Sequence, residues 1–411
     1  MTVVTVNAGF GQTHLLPLAA DLASRRELAA VMLGGAISGD PLMCSPALRR
    51  LQVVGRLKER TRGLPSSLVS ACWSAEAVHQ AAQMALHLPS GVPGQRTVAA
   101  WSLQQYQRRA WTPHALKGSR IFHSRSGFMG PVMAEALKQS QVTILADHTI
   151  AHPSVLSSLL DQAPRPALRP VTDPFWKIVL DDLALADHTA VNSDFVKETC
   201  RIAGMPADRV TVVYTRPEAW WFDACARWVR PDAKGPRRLL TAGTHERRKG
   251  SHLLLGAARS LLRTHPSALW TIAGSWAPDL VQVRRALSAL PNIELRPKVR
   301  RADLAALMCE SDVFVLPTLA EGSARVVTEA MVAGCAVVTT PNAGTPLRAP
   351  EGGLLVRPGN EDDLYQAIEI LLEDPQRMRE AGRHNREQAL VELAPGSYVE
   401  EMRRLYARLV G

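Results

Sequence analysis

The residues of this chain best suited to chemistry lie in VFVLPTLAEGSARVVTEAMVAGCAVVTT, from Val313 to Thr340. Two carboxylates stand there with seven residues between them, Glu321 and Glu329. VFVLP reads as a short buried strand closed by proline. SARVVTEAMVAG reads as a helix ended by Gly334, and CAVVTT as a second buried strand. A strand–loop–helix–strand unit belongs to a parallel sheet, whose ligands collect beyond the strand C-termini. Glu321 then sits in the loop and Glu329 roughly two turns inside the helix. Between them, the backbone N–H groups at Gly322, Ser323 and Ala324 have no helical partners. They form an anion site, helped by the helix dipole. Two carboxylates flanking an anion site suit a ligand with hydroxyls at both ends and phosphates between, the shape of a nucleotide sugar.

Other candidate residues fall at the ends of similar strands. LLTAGTHERRKGSHLLLGAARSLL reads as strand, loop and helix, with Gly243 and Lys249 in the loop beside Arg247 and Arg248. ALWTIAGSW is a strand with Gly274 at its end. The N-terminal MTVVTVNAGFG is a strand and a glycine-rich loop carrying Gly9 and Gly11. The third position of a G-x-G-x-x-G fingerprint is His14, which argues against a dinucleotide site. RIFHSRSGFMG is strand then loop, and QVTILADHTIAHP is the next strand with its loop. His148 and His152 are four apart, but no Glu follows the first and no helix carries them, so a metal pair is not expected. Ser193 in VNSDFV is a helix N-cap.

Composition bounds the class. At 411 residues two domains are expected. No apolar run is long enough for a membrane span, and the N-terminus lacks the features of a signal peptide. The six cysteines show no CxxC spacing and read as reduced thiols, so a cytoplasmic location is expected. The formal charge of +10 points to anionic partners. Nucleic acid is not among them, because no zinc knuckle, helix-turn-helix or aromatic RNA-binding motif is present. ALRRLQVVGRLKERTR is a basic, helix-compatible run. Arg49, Arg50, Arg56, Lys58, Arg60 and Arg62 face a single Glu59, with Leu51, Val54 and Leu57 at three-residue steps. The segment Arg49–Arg62 is either a solvated charged face or an interfacial helix on an anionic membrane, which would make the chain peripheral on the inner leaflet.

With LPTLAEG, EAM and Gly334 around them, Glu321 and Glu329 resemble the E-x7-E signature of the family-4 retaining glycosyltransferases. DHTIAHPSVLSSLL resembles a segment of members that build exopolysaccharides and other cell-surface polysaccharides. The resemblance is clear over the second half and looser over residues 121–213. It implies a GT-B fold: two Rossmann-like α/β domains facing a cleft, with a C-terminal helix crossing back to the first domain. The implied division is 1–217 for an acceptor domain, 218–236 for a linker, 237–392 for a nucleotide-sugar domain and 393–411 for the returning helix. It further implies that Glu321 contacts the transferred sugar and Glu329 the ribose, that His152 faces the donor sugar, and that the base rests near Lys298 and Val299. The glycine-rich loop at Gly9 and Gly11 would face the cleft. Lys249 would grip the diphosphate. The family's partner arginine is Thr244 here, leaving Arg247 or Arg248 to supply the charge. No Asp-x-Asp motif ends a strand near the donor site, so no metal cofactor is expected. The implied reaction is glycosyl transfer from a nucleotide sugar to a saccharide or lipid-linked saccharide, with retention. A sugar-nucleotide epimerase and a non-catalytic binding protein are alternatives on the same fold.

Overall fold

The computed structural model describes residues 3–10, 14–36, 57, 60–86, 95–110, 116, 118–163, 165–227 and 235–411. Strands and helices alternate along most of the chain, and the strands form two wholly parallel sheets. In the first half the elements are β1 (Val4–Gly9), α1 (Leu15–Ser24), β2 (Leu28–Leu33), β3 (Val69–Ala71), α2 (Trp73–Leu86), α3 (Gln95–Arg109), β4 (Ile121–Arg125), α4 (Pro131–Gln139), β5 (Thr143–His148), α5 (Pro153–Leu160), α6 (Pro174–Leu185), β6 (His188–Val191), α7 (Asp194–Ile202) and β7 (Val210–Val212). In the second half they are α8 (Ala219–Ala226), β8 (Arg238–Ala242), α9 (Leu254–Thr264), β9 (Leu269–Ala273), α10 (Val281–Leu287), β10 (Ile293–Arg296), α11 (Arg301–Glu310), β11 (Val313–Leu316), α12 (Arg325–Val332), β12 (Ala336–Thr339), β13 (Gly353–Leu355), α13 (Glu361–Glu373), α14 (Pro375–Glu392) and α15 (Ser397–Val410).

The first sheet has the order β3-β2-β1-β4-β5-β6-β7 and the second β10-β9-β8-β11-β12-β13. Each order reverses direction once, between β1 and β4 and between β8 and β11. At such a reversal the two loops diverge to opposite faces and leave a crevice beyond the strand ends. The central strands are buried on both faces, which explains their unbroken apolar runs: every residue of Val313–Leu316 and Ala336–Thr339 is buried.

The stretch expected as a linker differs in the structure. Residues 219–226 form α8, and Trp221, Phe222 and Cys225 lie within the apolar core of the second domain. Trp221 Nε1 donates to the Glu329 carbonyl at 3.0 Å. Burying two large aromatic side chains, Trp221 and Phe222, on one helical face fixes this stretch to the domain rather than leaving it an open connection. The segment preceding it, Tyr214–Arg216, makes the crossing between domains.

Helix α15 returns to the first domain. Met402, Leu405 and Tyr406 join its core. Arg403 pairs with Glu27 through two hydrogen bonds of 2.8 and 2.7 Å. Inside, the Tyr406 hydroxyl meets His123 Nδ1 at 2.8 Å. Arg216 ties the crossing to the same helix through Ser397 and Glu401.

The basic run Arg49–Arg62 lies mostly outside the described residues. Of its described members, Leu57 is buried, as is Arg60. Arg60 bonds Glu76 and the Gly35 carbonyl, each at 2.9 Å. An arginine held in an internal ion pair has no charge to offer a lipid surface, so Arg60 leaves the set assigned to membrane contact. Among the described residues no helix is long and apolar enough to cross a membrane.

Among the described residues five histidines are buried, His123, His148, His152, His188 and His245, and burial disfavours the charged ring of each. Burial pushes His123, His152 and His245 down to about 4 and His148 to about 3. Unfolded histidines titrate near 6.5, so below that pH the unfolded chain binds more protons than the folded one. Asp182, pushed up to about 6 by burial, works in the opposite sense, as do Glu329 and Glu361, which burial also raises; Glu27, Glu76 and Asp147, held below the usual carboxylate range, work with the histidines. Stability should therefore fall steadily as pH drops from about 6.5 towards about 4. The urea midpoint measured across that range checks this; a flat profile would contradict it.

Candidate functional site

The site is built on the reversal between β8 and β11. The loop leaving β11 is fixed from below by backbone bonds. The Arg248 carbonyl accepts from Leu319 N at 2.8 Å and from Thr318 Oγ1 at 3.0 Å. Asn342 Nδ2 donates to the Leu319 carbonyl at 2.7 Å. Glu321 N donates to the Asn342 carbonyl and Ala324 N to the Ala343 carbonyl, at 3.0 and 2.8 Å. The Ala324 N–H is thus committed and drops out of the expected anion site, because the loop after β12 reaches it first. The N–H groups of Gly322 and Ser323 meet no acceptor among the described residues.

Glu321 faces the loop that leaves β8. Its Oε1 lies 3.0 Å from Arg248 Nη1 and 3.5 Å from Lys249 Nζ. Oε1 is thus a buried carboxylate oxygen ion-paired with two cations, and it keeps lone-pair capacity for a further donor. A ligand hydroxyl would satisfy it. Arg248 is steadied by the Ala320 carbonyl and Glu246, at 2.8 and 2.6 Å. Arg247 points away, exposed, to Asp279 at 3.3 Å. Of the two arginines that sequence reasoning left open, Arg248 is the one placed beside Lys249. Thr244 is exposed and contributes no charge.

Glycines at the strand ends let the two loops approach. A Cβ on Gly274 would stand 1.7 Å from the Gly243 carbonyl oxygen, and one on Gly243 would stand 3.3 Å from Lys249 Nζ. His245 fills the space behind, its ring 4.4 Å from that of Trp276. Val299 is half-buried against the apolar core, with Lys298 exposed beside it.

Glu329 occupies the second turn of α12 and is 1 % exposed. Burial raises its carboxyl above the usual range, and Arg301 opposes part of that rise. Arg301 donates to both oxygens at 3.0 and 2.7 Å while its guanidinium lies over Trp221, 4.6 Å from the ring centre. Sequence reasoning missed Arg301. Its only signal was an arginine pair opening the helix after Val299, the position where the base was expected. A carboxylate oxygen can accept twice, so Glu329 keeps capacity for a hydroxyl beside Arg301.

The first domain closes against the same loop. A Cβ on Gly322 would stand 1.7 Å from the Thr149 carbonyl oxygen, so only glycine fits there. Ser193 caps α7 through Val196 N at 3.2 Å and also donates to the Gly322 carbonyl. That second bond gives the N-cap a role that its sequence position did not disclose. His152 begins α5, and its Nδ1 accepts from Ser154 N at 3.3 Å. The ring is therefore the Nε2–H tautomer. Its neighbours Ala151 and Val155 pack with Ala320, which places His152 on the first-domain side of the Glu321 loop. Gly9 adopts a left-handed φ of 64° and packs on the Phe128 ring. Gly11 lies outside the described residues.

Residues 236–374 match the family described as Glycosyl transferases group 1. Glycogen synthase of Mycobacterium tuberculosis is 31 % identical over 210 residues, 49 % of this chain and 48 % of that protein. The chain spans about half the length of the curated relatives it matches first. Among solved structures, sucrose-phosphate synthase from Thermosynechococcus elongatus aligns over 100 % of this chain and 99 % of its own, at TM-score 0.63 and 18 % identity. Anabaena Alr3699/HepE in complex with UDP aligns over 99 % and 100 %, at TM-score 0.60 and 15 % identity. These likenesses establish the GT-B fold.

Removing Arg301 would leave the buried Glu329 carboxylate without its two hydrogen-bond donors and with Arg325, 3.5 Å from Oε1, as its remaining cation. Arg301→Ala should lower unfolding stability by about 2 kcal/mol or more. Adding Glu329→Gln should recover part of it, since paired residues couple. Strictly additive losses in urea unfolding would show that the two do not form one unit.

Proposed function

From a group 1 glycosyl transferase domain carried in a GT-B fold, we propose that the chain moves a glycosyl unit from a nucleoside diphosphate sugar to a hydroxyl of a saccharide or lipid-linked saccharide. The proposal includes retention of anomeric configuration, no requirement for a divalent metal, and a place in cell-surface polysaccharide synthesis. The observation that carries it is Glu321 Oε1, a buried carboxylate oxygen set between two cations and next to two N–H groups that meet no acceptor among the described residues.

Each part has a role in that reaction. The donor's sugar hydroxyl completes Glu321. Its diphosphate lies against Arg248, Lys249 and the Gly322 and Ser323 N–H groups. Charge grows on the leaving diphosphate as the glycosidic bond breaks, and fixed cations in a water-poor cleft stabilise that charge without reorganising. Glu329 and Arg301 offer an acceptor and a donor to a ribose. The first domain supplies the acceptor side, facing the same loop across Thr149 and Ser193. Structural neighbours that bind UDP support a nucleotide donor.

Lys249→Ala should weaken binding of nucleoside diphosphates at least about tenfold while leaving the parent nucleosides almost unaffected, since one cation in contact with phosphate is worth more than 1.4 kcal/mol in such a site. Calorimetric titration of both ligand sets reads this directly, and equal losses would move Lys249 away from the phosphates. Glu321→Gln should keep nucleoside diphosphate affinity and lower turnover by about 10²-fold. Near-normal turnover would remove Glu321 from the reacting centre.

A further inference from the structure

At the other reversal point, between β1 and β4, stands an arginine that the fold leaves unpaired. Arg125 ends β4, and its register partner on β5 is Asp147. Register partners on neighbouring strands share a face of the sheet, and opposite charges placed so ordinarily attract. Here they do not pair. Asp147 is 5 % exposed, and its Oδ1 turns to His14 Nε2, 3.1 Å away. Arg125 turns over the Phe128 ring, its Cζ 5.6 Å from the ring centre. No hydrogen bond or ion pair to the guanidinium occurs among the described residues. The side chain is half-buried, and burial lowers the guanidinium from its ordinary value while Asp147 opposes that. Arg60, Arg216 and Arg248 are also withdrawn from water, and each of them meets a carboxylate. A charge that has lost water and gained no partner is unfavourable to the folded chain, so Arg125 calls for an anion from outside it.

Its place in the fold narrows that anion. Side chains at the C-terminal ends of strands beside a reversal line the ligand crevice of a parallel sheet. The Phe128 ring under Arg125 packs in turn on Gly9 and on Phe10, with the two phenylalanine ring centres 5.7 Å apart. A guanidinium with one face on an aromatic ring keeps its N–H edge free, and that edge takes a phosphate or carboxylate through two parallel bonds. Asp147 Oδ2 has no partner, and an ionised carboxylate accepts a hydroxyl but repels a bare anion. Arg125 and Asp147 together therefore suit a polyol that carries one anionic substituent. The crevice also adjoins the seam between the domains. Ser126 meets His148 Nδ1 at 3.1 Å, and the carbonyl of Thr149, the next residue, lies against Gly322.

We propose that Arg125 is the anion-recognising residue of the first domain, and that the acceptor is an anionic saccharide with a phosphate or a carboxylate beside its hydroxyls. This rests on the glycosyl-transfer reading and names the class of acceptor within it. Arg125 donates two N–H bonds to the anionic group, while Asp147 accepts from a neighbouring hydroxyl. Both residues bind and orient, and no bond forms or breaks at either. A neutral saccharide would leave the guanidinium unpaired, which is what makes the site selective.

The test is calorimetric titration of the full chain, in the presence of UDP, ADP or GDP in turn, with three sets of probes: glucose, galactose and mannose, their 6-phosphates, and the corresponding uronates. At least one anionic probe should bind about tenfold or more tighter than its parent hexose. A lead for the phosphates marks a phosphorylated acceptor and a lead for the uronates a carboxylated one, and either supports the proposal. Arg125→Gln should abolish the preference, while the Kd for the nucleoside diphosphate stays within about threefold of the parent and so reports an intact fold. Arg125→Lys, a point charge without the planar fork, should keep part of the preference. No binding of any anionic probe, equal binding of anionic and neutral probes, or a preference that survives Arg125→Gln overturns the proposal and leaves the donor reading intact. A preference lost in Arg125→Gln, in a chain that transfers no glycosyl unit from any donor, would remove the glycosyl-transfer reading and keep Arg125 as an anion site.

Discussion

Gly322 lies so close to the Thr149 carbonyl that a Cβ there would come within 1.7 Å of its oxygen. Everything of interest is arranged around that approach. The two domains touch where the Glu321 loop leaves its strand, and the contact is short because no side chain intervenes. Ser193 bonds the Gly322 carbonyl, and Asn192 Nδ2 reaches the Thr149 carbonyl at 3.3 Å. Across the same seam Thr215 Oγ1 bonds Ser323 Oγ at 3.4 Å. A loop clamped in this way holds its carboxylate and its bare N–H groups at fixed positions relative to both sheets. Fixed dipoles lower the cost of developing charge because they need not turn when it appears.

The electrostatics follow from the same placement. Arg248 and Lys249 bring two positive charges to one carboxylate, Glu321. Glu246 offsets Arg248 on its other side, so the cluster is balanced in charge, and an arriving anion also meets the neighbouring helix N-terminus. Deeper in the second domain Arg301 meets Glu329 within a wall of tryptophan, where the pair is local and self-neutralising. The formal charge of +10 is therefore not the relevant quantity. Particular cations, held where a phosphate would lie, matter more than the total.

The sequence made the architecture legible where one signal dominates. Apolar runs of four to six residues, each followed by a glycine-bearing loop and a helical period, place the sheets and their order of crossing. The pair Glu321 and Glu329 was legible because both lie in one local unit. Contacts between distant segments were not. Arg301 lies 28 positions from Glu329, Ser193 lies 129 from Gly322, and His14 lies 133 from Asp147. No periodicity records such pairings. Residues 219–226 were read as part of a linker because their sequence departs from the expected lead-in. Their burial became apparent only once Trp221 had a core to enter. Arg60 was read as a surface charge for the converse reason: its partner, Glu76, is 16 positions on, beyond any local pattern.

The central claim is that the loop from Pro317 to Glu329 is a preformed anion site for a nucleoside diphosphate. Hydrogen–deuterium exchange of peptides spanning that loop, with and without saturating nucleoside diphosphate, tests it most directly. The account predicts slowed exchange at Gly322 and Ser323, whose N–H groups are bare in the free protein, and a smaller effect at Ala324, whose N–H is already bonded to the Ala343 carbonyl. Unchanged exchange at Gly322 and Ser323 on a demonstrably occupied protein would contradict it.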